Sequence, residues 1–176
     1  MRYLAALQPH GILGVILVYK ILGGKIFIVN RFILWMEHIA IMKKSLGYLE
    51  KIISGDKLIE SRWYNSKISP WGKALKGDVI YFKNSGCEIN VRARIDNVLE
   101  FSNLTSDKIW DILSKFGNRI GVEDLKDFFE KIKNKRYCIL IFLKEVEEIK
   151  SFDIDKKGFG IMSAWICIED VGKIKI

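Results

Sequence analysis

A β-hairpin is the strongest constraint that this sequence places on its own fold. The segment from Asp78 to Lys83 is strand-like, and apolar residues occupy every second position from Ile89 to Ile95 within the segment Glu88 to Val98. Between the two segments, Asn84-Ser85-Gly86-Cys87 supplies a turn that contains glycine. A glycine-bearing turn between two such segments is the local signature of a hairpin, so we expect a fold built on antiparallel strands.

Three helical segments are predicted from the spacing of apolar residues. The first extends from Lys43 to Ser54, where Ser45 can cap the start and Gly55 can end the helix in a left-handed conformation. The other two extend from about Ser106 to Phe116 and from Val122 to Lys133, each with an apolar stripe. We expect these two helices to pack against the sheet as one insertion.

Several short extended segments accompany the hairpin. Leu58 to Trp63 alternates in the manner of a strand, and Tyr137 to Leu143 is a continuous apolar run of the length expected for a buried strand. Val146 to Ile149, Phe152 to Ile154 and Ala164 to Ile168 complete the set. This arrangement predicts an α+β fold, a small β-barrel of five or six strands with flanking helices. The length of 176 residues suits one such domain.

The first 35 residues differ in composition from the rest of the chain. They contain four basic and no acidic residues, and single lysine or arginine residues interrupt their apolar stretches. No stretch reaches the roughly 20 uncharged apolar residues that a membrane span needs, and a cleavage site typical of a signal peptide is absent. We therefore divide the chain into a hydrophobic, basic leader, residues 1–35, and one domain, residues 36–176. The leader is either translated upstream sequence, with the native protein beginning at Met36, or an anchor, and membrane association is expected only if the leader is native.

Charge and cysteine content narrow the class of protein. The formal net charge is +8, but residues 36–176 carry 25 basic and 21 acidic residues, a mild excess that suits many proteins besides nucleic-acid binders. Cys87, Cys138 and Cys167 are odd in number and widely separated, which does not suggest a disulfide framework. Two histidines offer too few ligands for a zinc site. We therefore predict a cytoplasmic protein without a metal or another cofactor.

The order of these segments resembles the ASCH family of the PUA-like superfamily. Six motifs carry the resemblance, in the order Lys57-Leu-Ile-Glu60-Ser-Arg62, Pro70-Trp71-Gly72, Gly77-Asp78-Val-Ile-Tyr-Phe-Lys83, Ser85-Gly86, Lys156-Lys157-Gly158 and Trp165. The resemblance implies a PUA-like barrel with a cleft between the barrel and the first helix, and a role in RNA metabolism. Some relatives deacylate N4-acylated cytidine or cleave RNA. The deacylating relatives match this chain at Lys57 but have threonine at the position of Glu60, and Glu100 lies near the expected place of their catalytic carboxylate.

Nine residues form the candidate ligand site. Arg62 or Lys57 can hold a phosphate, and Glu60 can accept a hydrogen bond from a base or act as a general base. Alternatively, Glu60 and Arg62 pair with each other on one face of their strand. Loop aromatics can stack on unpaired bases, or they can simply cover the core. The complete set is Lys57, Glu60, Arg62, Trp63, Trp71, Lys83, Ser85, Lys157 and Trp165.

Three functions remain open at this point. The first is a module that binds RNA or a modified nucleotide in the cleft. The second is an enzyme that processes RNA or a nucleoside, of the amidohydrolase or ribonuclease type, with Lys57 and Glu60 as its catalytic residues. The third is a protein-interaction module. His38 precedes the first predicted helix and either reaches the cleft or has a structural role.

Overall fold

The computed structural model describes residues 14–22, 25–33, 35–160 and 162–176. The chain divides into two units, with the boundary after Trp35. In the first unit, strands β1 (Gly14–Leu22) and β2 (Lys25–Ile33) pair in antiparallel fashion. The predictions for the leader fall partly on residues 1–13, 23–24 and 34, which lie outside the described residues, and the origin of the leader stays a prediction.

The second unit is built on a six-stranded sheet. The sheet curls into a half-barrel with the strand order β4-β7-β6-β5-β3-β8, in which β3 and β5 are parallel and every other neighbouring pair is antiparallel. The predicted α+β fold with five or six strands and flanking helices is therefore confirmed. Its elements are β3 (Glu37–Met42), α1 (Tyr48–Ser54), β4 (Ile59–Tyr64), β5 (Val79–Asn84), β6 (Ile89–Ser102), α2 (Ser106–Ile120), α3 (Leu125–Ile132), β7 (Tyr137–Phe152) and β8 (Trp165–Ile168).

The predicted hairpin is present as β5 and β6. Its register pairs Phe82 with Val91 and Val79 with Arg94, and Gly86 in the turn has a φ of +78°. Residues that carry a side chain rarely adopt this backbone conformation, so glycine is favoured at this position of the turn. Strand β6 extends to Ser102, beyond the predicted end at Val98, because it pairs with β7 along nearly its whole length.

Strand β7 differs from the sequence-based prediction. The segments 137–143 and 146–149 and residue Phe152, predicted as separate pieces, belong to one strand of 16 residues, while Ile154 forms only an isolated bridge with Lys175. Glu145 has a positive φ of +51° and lies beside a shift in the β6–β7 register. This local irregularity accommodates the polar residues around Glu145 without ending β7.

The first helix is shorter than the sequence indicated. A 3₁₀ turn spans Lys44–Leu46, and α1 begins only at Tyr48, after Gly47 in a left-handed conformation. Ser45 therefore does not cap the helix. Gly55 ends it with a φ of +83°, as predicted. Strand β3, to which the sequence analysis assigned no element, lies inside the sheet between β5 and β8.

Both faces of the sheet are covered by apolar side chains. On one face, α1 packs its buried residues Leu49 and Ile52 against a core that includes Phe82 of β5. Helices α2 and α3 cover the outer side of β4 and β7, where Ile59 and Leu140 are buried. No helix in the described part of the chain is long and apolar enough to cross a membrane.

Candidate functional site

A cleft of about 580 Å³ opens beside the edge strand β4. Its walls are formed by the end of β3 with the turn that follows, by β4, by Phe128 and Ile132 of α3 with Lys135, and by residues 162–164 ahead of β8. Tyr48 at the start of α1 also lines it.

An ion-pair network forms the floor of the cleft. Oε2 of Glu60 lies 3.2 Å from Nζ of Lys57, and Oε1 of Glu60 accepts a hydrogen bond of 2.8 Å from Nε of Arg62. Nζ of Lys57 also donates to the carbonyl oxygens of Ile59 at 2.7 Å and Ile120 at 2.8 Å. The three N–H groups of the ammonium therefore have three acceptors, a requirement for burying such a charge.

Burial changes the titration of several groups around this floor. It lowers the pKa of Lys57 below its ordinary value, although the neighbouring Glu60 acts in the opposite direction. Burial also raises the pKa of Tyr48 and that of Tyr64, and Glu60 adds to both effects. Both phenols therefore remain protonated at neutral pH and can donate hydrogen bonds.

Basic side chains predominate among the charged residues of the cleft. Among the described residues that line it there is one carboxylate, that of Glu60, against five basic side chains, which are those of Lys43, Lys57, Arg62, Lys135 and Lys156. The sequence of residues 36–176 has only a mild basic excess, so the fold concentrates positive charge here. Such a concentration attracts anions.

Arg62 can bind a further partner. Its Nε donates to Glu60, and its guanidinium carbon lies 5.2 Å from the ring centroid of Trp165. Within residues 35–160 and 162–176, no hydrogen bond involves Nη1 or Nη2 of Arg62. The Arg62 side chain is 14% exposed. The four N–H donors on Nη1 and Nη2 of this positioned guanidinium are therefore free to bind an anion.

Five of the nine predicted site residues line the cleft, namely Lys57, Glu60, Arg62, Trp63 and Ser85. The other four lie elsewhere. Trp71 packs edge-on against Tyr137, Lys83 forms a 2.7 Å ion pair with Asp153, Lys157 is exposed, and Trp165 is buried beneath Arg62.

Other lining residues lie outside the predicted set of nine. Lys156 lines the cleft in place of its neighbour Lys157, and Lys43, Tyr48, Tyr64 and Lys135 join it. Tyr64 belongs to the aromatics predicted either to stack on a base or to cover the core, and it continues the Glu60–Arg62 alternation by one step. Nothing in the local sequence distinguishes Lys43 or Lys135 from the other lysines.

His38 has a structural role and lies outside the cleft lining. It is fully buried, with Nε2 3.0 Å from Oδ2 of Asp78, and its Nδ1 accepts a 3.2 Å hydrogen bond from Nε1 of Trp165. An indole N–H can only donate, so Nδ1 carries no proton in this arrangement. Glu100, the other carboxylate suggested by the resemblance, binds the backbone N–H of Gly72 at 2.6 Å, away from the cleft lining.

The described residues contain no group of three or more histidine, cysteine, aspartate or glutamate side chains placed to hold a metal ion. Cys87 is exposed, Cys138 is buried and Cys167 is partly buried, and all three are free thiols. Burial raises the pKa of Cys138, which makes its thiol unreactive.

Solved structures identify the class of fold. The structure of ASCH from Zymomonas mobilis matches with a TM-score of 0.55 at 14% identity, covering 74% of this chain and 85% of that one. A tyrosine-to-phenylalanine variant of that protein gives 0.55 at 12% identity, covering 78% and 94%, and a serine-to-alanine variant gives 0.57 at 13%, covering 78% and 92%. No protein-family model matches the sequence, and no curated protein is significantly similar to it.

The chain therefore has an ASCH-like fold, as the order of its motifs predicted. At 12–14% identity the likeness concerns the fold alone.

Proposed function

We propose that this protein binds a nucleotide, free or within single-stranded RNA, in the cleft. The observation that carries the proposal is the convergence of five basic side chains and four aromatic ones, those of Tyr48, Trp63, Tyr64 and Phe128, around a single carboxylate. A nucleotide combines an anionic phosphate with a flat aromatic base, so it needs both kinds of partner.

The size of the cleft supports a ligand of this kind. Its volume of about 580 Å³ falls within the range of roughly 300–1,000 Å³ common for small-molecule sites. One unstacked nucleotide fits such a space, whereas a duplex does not. We therefore infer that RNA enters with a base removed from its stack, the usual mode of sequence-dependent RNA recognition.

The phosphate is assigned to Arg62, with support from Lys43 and Lys135. The guanidinium is held in place by Glu60, so less side-chain entropy is lost when its Nη groups bind an anion. Lys43 and Lys135 come from different connections of the fold, so they approach the cleft from different sides.

The aromatic side chain assigned to the base is Trp63. It is partly exposed in the cleft and packs edge-on against Phe128 of α3, with ring centroids 6.4 Å apart. This contact fixes the plane of the indole. A fixed aromatic face favours stacking, worth roughly 1–3 kcal/mol per base.

Binding can be tested by fluorescence anisotropy with a labelled single-stranded RNA and by calorimetry with nucleoside monophosphates. Arg62→Gln removes the positioned charge, and Lys157→Ala removes an exposed lysine outside the cleft lining. We expect Arg62→Gln to weaken binding about tenfold or more, and Lys157→Ala to change it less than twofold. Equal effects of the two changes, or no binding by the unmodified protein, would refute the proposal.

The ion pair on the floor also supports a second candidate, an enzyme that acts on RNA or a nucleoside. Lys57 and Glu60 lie in the cleft with the pKa of Lys57 lowered, a combination found at catalytic sites. Glu60→Gln would then abolish turnover of a bound RNA or acylated nucleoside while leaving binding measurable. Product analysis by mass spectrometry distinguishes this enzyme from a binding module.

The free thiols, including the exposed Cys87, are consistent with a reducing compartment, so we include a cytoplasmic location in the proposal.

A further inference from the structure

Strand β4 reaches the cleft through its backbone as well as its side chains. Five consecutive residues, Glu60 to Tyr64, line the cleft, although successive side chains of a strand point to opposite faces of the sheet. Both faces can contribute only where the cleft extends around the edge of the strand. Because β4 is the first strand of the sheet order, this edge has no neighbouring strand.

The pairing of β4 with β7 indicates which backbone groups are used inside the sheet. The backbone N–H of Leu143 donates to the carbonyl of Leu58 at 3.0 Å. Hydrogen-bonded pairs alternate along an antiparallel ladder, so Glu60 and Arg62 also direct their N–H and C=O groups toward β7.

The residues that alternate with Glu60 and Arg62 along β4 direct their backbone groups toward the free edge of the strand. For Ile59 this is visible directly, since its carbonyl accepts the hydrogen bond from Nζ of Lys57 rather than one from β7. By the same alternation, Ser61 and Trp63 point their N–H and C=O groups into the cleft.

The exposed stretch of edge is short. At one end, Lys57 occupies the carbonyl of Ile59, and at the other end the strand stops at Tyr64, whose own carbonyl faces β7 and accepts a 2.9 Å hydrogen bond from the N–H of Arg136. Only Ser61 and Trp63 remain between these two points. An added peptide strand usually pairs over more residues than this, whereas one residue suffices to pair with a flat heterocycle.

We propose that the main-chain N–H and C=O groups of Ser61 recognise the Watson–Crick edge of a nucleobase. This inference rests on the proposed function and specifies how the base is read. One residue of a free strand edge presents a donor and an acceptor side by side. Each common nucleobase carries a donor and an acceptor on neighbouring atoms of its Watson–Crick edge, so the two patterns are complementary.

The first experiment modifies the ligand and leaves the protein unchanged. Calorimetry with the four ribonucleoside 5′-monophosphates identifies the one that binds most tightly. Its affinity is then compared with that of the form methylated at the Watson–Crick ring nitrogen, N3 of a pyrimidine or N1 of a purine. A form altered elsewhere, 5-methyl for a pyrimidine or 7-deaza for a purine, is the matched control. We expect the Watson–Crick methyl group to weaken binding about tenfold or more and the control to change it less than about threefold.

The second experiment removes the donor from the protein. Ser61→Pro deletes the backbone N–H, and Ser61→Ala is its comparison, because both lose the hydroxyl that accepts a 3.3 Å hydrogen bond from Nε1 of Trp63. Proline is tolerated in an edge strand where the lost N–H faces outward. Ser61→Pro should bind the nucleotide about tenfold more weakly than Ser61→Ala, and should unfold at a higher temperature than Arg62→Pro, which loses a hydrogen bond to β7.

The outcomes separate this inference from the proposed function. If no monophosphate binds the unmodified protein, both are wrong. If a monophosphate binds, but its Watson–Crick methylated form binds equally well, only the edge-reading inference is wrong. The same conclusion follows if Ser61→Pro and Ser61→Ala bind alike. The methylated nucleotides decide the question even if Ser61→Pro does not fold.

Discussion

The ammonium of Lys57 and the carboxylate of Glu60 meet at 3.2 Å, and each side chain is less than 5% exposed. The same carboxylate holds Arg62 through its second oxygen. One acidic side chain therefore neutralises a buried lysine and also orients the arginine assigned to the phosphate. Stability and ligand binding consequently depend on the same three residues.

Replacing Glu60 with glutamine should destabilise the protein by about 3 kcal/mol, because it leaves the buried charge of Lys57 without its counterion. Urea unfolding measures the loss. Lys57→Met is the companion change, since it removes the charge and leaves Glu60 paired with Arg62. If the two residues stabilise each other, the double variant will lose less free energy than the sum of the single losses, and strict additivity would contradict the coupling.

The buried Lys57 should also make stability depend on pH. Burial lowers its pKa in the folded protein below the ordinary value of 10.5. Between the folded and unfolded pKa values, the unfolded chain binds more protons at this site, so the free energy of unfolding rises with pH in that window. Below both values the contribution is constant.

Urea unfolding of the unmodified protein and Lys57→Met, from about pH 7 to pH 10, tests this expectation. The difference in unfolding free energy should move in favour of the unmodified protein as the pH approaches 10.5. A difference that stays constant throughout, or moves in the opposite direction, would show that the pKa of Lys57 is not lowered.

Gly121 should tolerate alanine less well than Gly55 does. Both residues end a helix in a left-handed conformation, with φ values of +82° and +83°. A Cβ at Gly121 would lie 3.2 Å from Cβ of Lys57, whereas a Cβ at Gly55 would meet no atom within 4 Å. Both changes incur the backbone cost of about 1 kcal/mol, and Gly121→Ala should lose roughly 1 kcal/mol more. Equal losses in thermal unfolding would show that Lys57 adjusts without cost.

Local chemistry explains which parts of the fold could be predicted from the sequence. The β5–β6 hairpin was predicted because its turn and its alternation are properties of neighbouring residues. Strand β7 was divided into pieces because its continuity depends on pairing with β6, a partner distant in the sequence. Strand β3 was not assigned for the same reason, since β5 and β8 hold it in place.

Local sequence also predicted only part of the candidate site. The alternation in β4 correctly placed Glu60 and Arg62 on one surface, where they pair. It could not decide between Lys156 and Lys157, since adjacent lysines in a loop differ only in the direction that the tertiary structure gives them. Trp71 was selected for its loop position, but its packing partner is Tyr137 at the start of β7.

The indole of Trp165 should hold down the pKa of His38. Burial acts to lower this pKa, but the hydrogen bond to Asp78 and the interaction with Cys167 outweigh it, so the net pKa is raised above 6.5. Trp165→Phe removes the donor that favours the unprotonated Nδ1, so it should raise the pKa of His38 further, at a cost of about 1–2 kcal/mol in stability.

An NMR titration of the histidine ring measures the pKa, with Trp110→Phe as the control. The Trp110 side chain lies on α2 and is 40% exposed, so its replacement should leave His38 unchanged. A lower pKa of His38 in Trp165→Phe would show that the indole does not favour the neutral ring.

Single-stranded RNA should bind more tightly than duplex RNA of the same length. The cleft holds about 580 Å³, and the base must approach both Trp63 and the edge of β4, which a paired and stacked base cannot do. We expect at least about a tenfold preference for the single strand in anisotropy titrations at moderate salt. Simple phosphate attraction does not distinguish the two forms in this way, and moderate salt weakens it.

Lys43→Ala should weaken single-strand binding and flatten its salt dependence, since one phosphate contact is lost. Equal affinity for the duplex, with the salt dependence unchanged in Lys43→Ala, would mean that RNA binds outside the cleft.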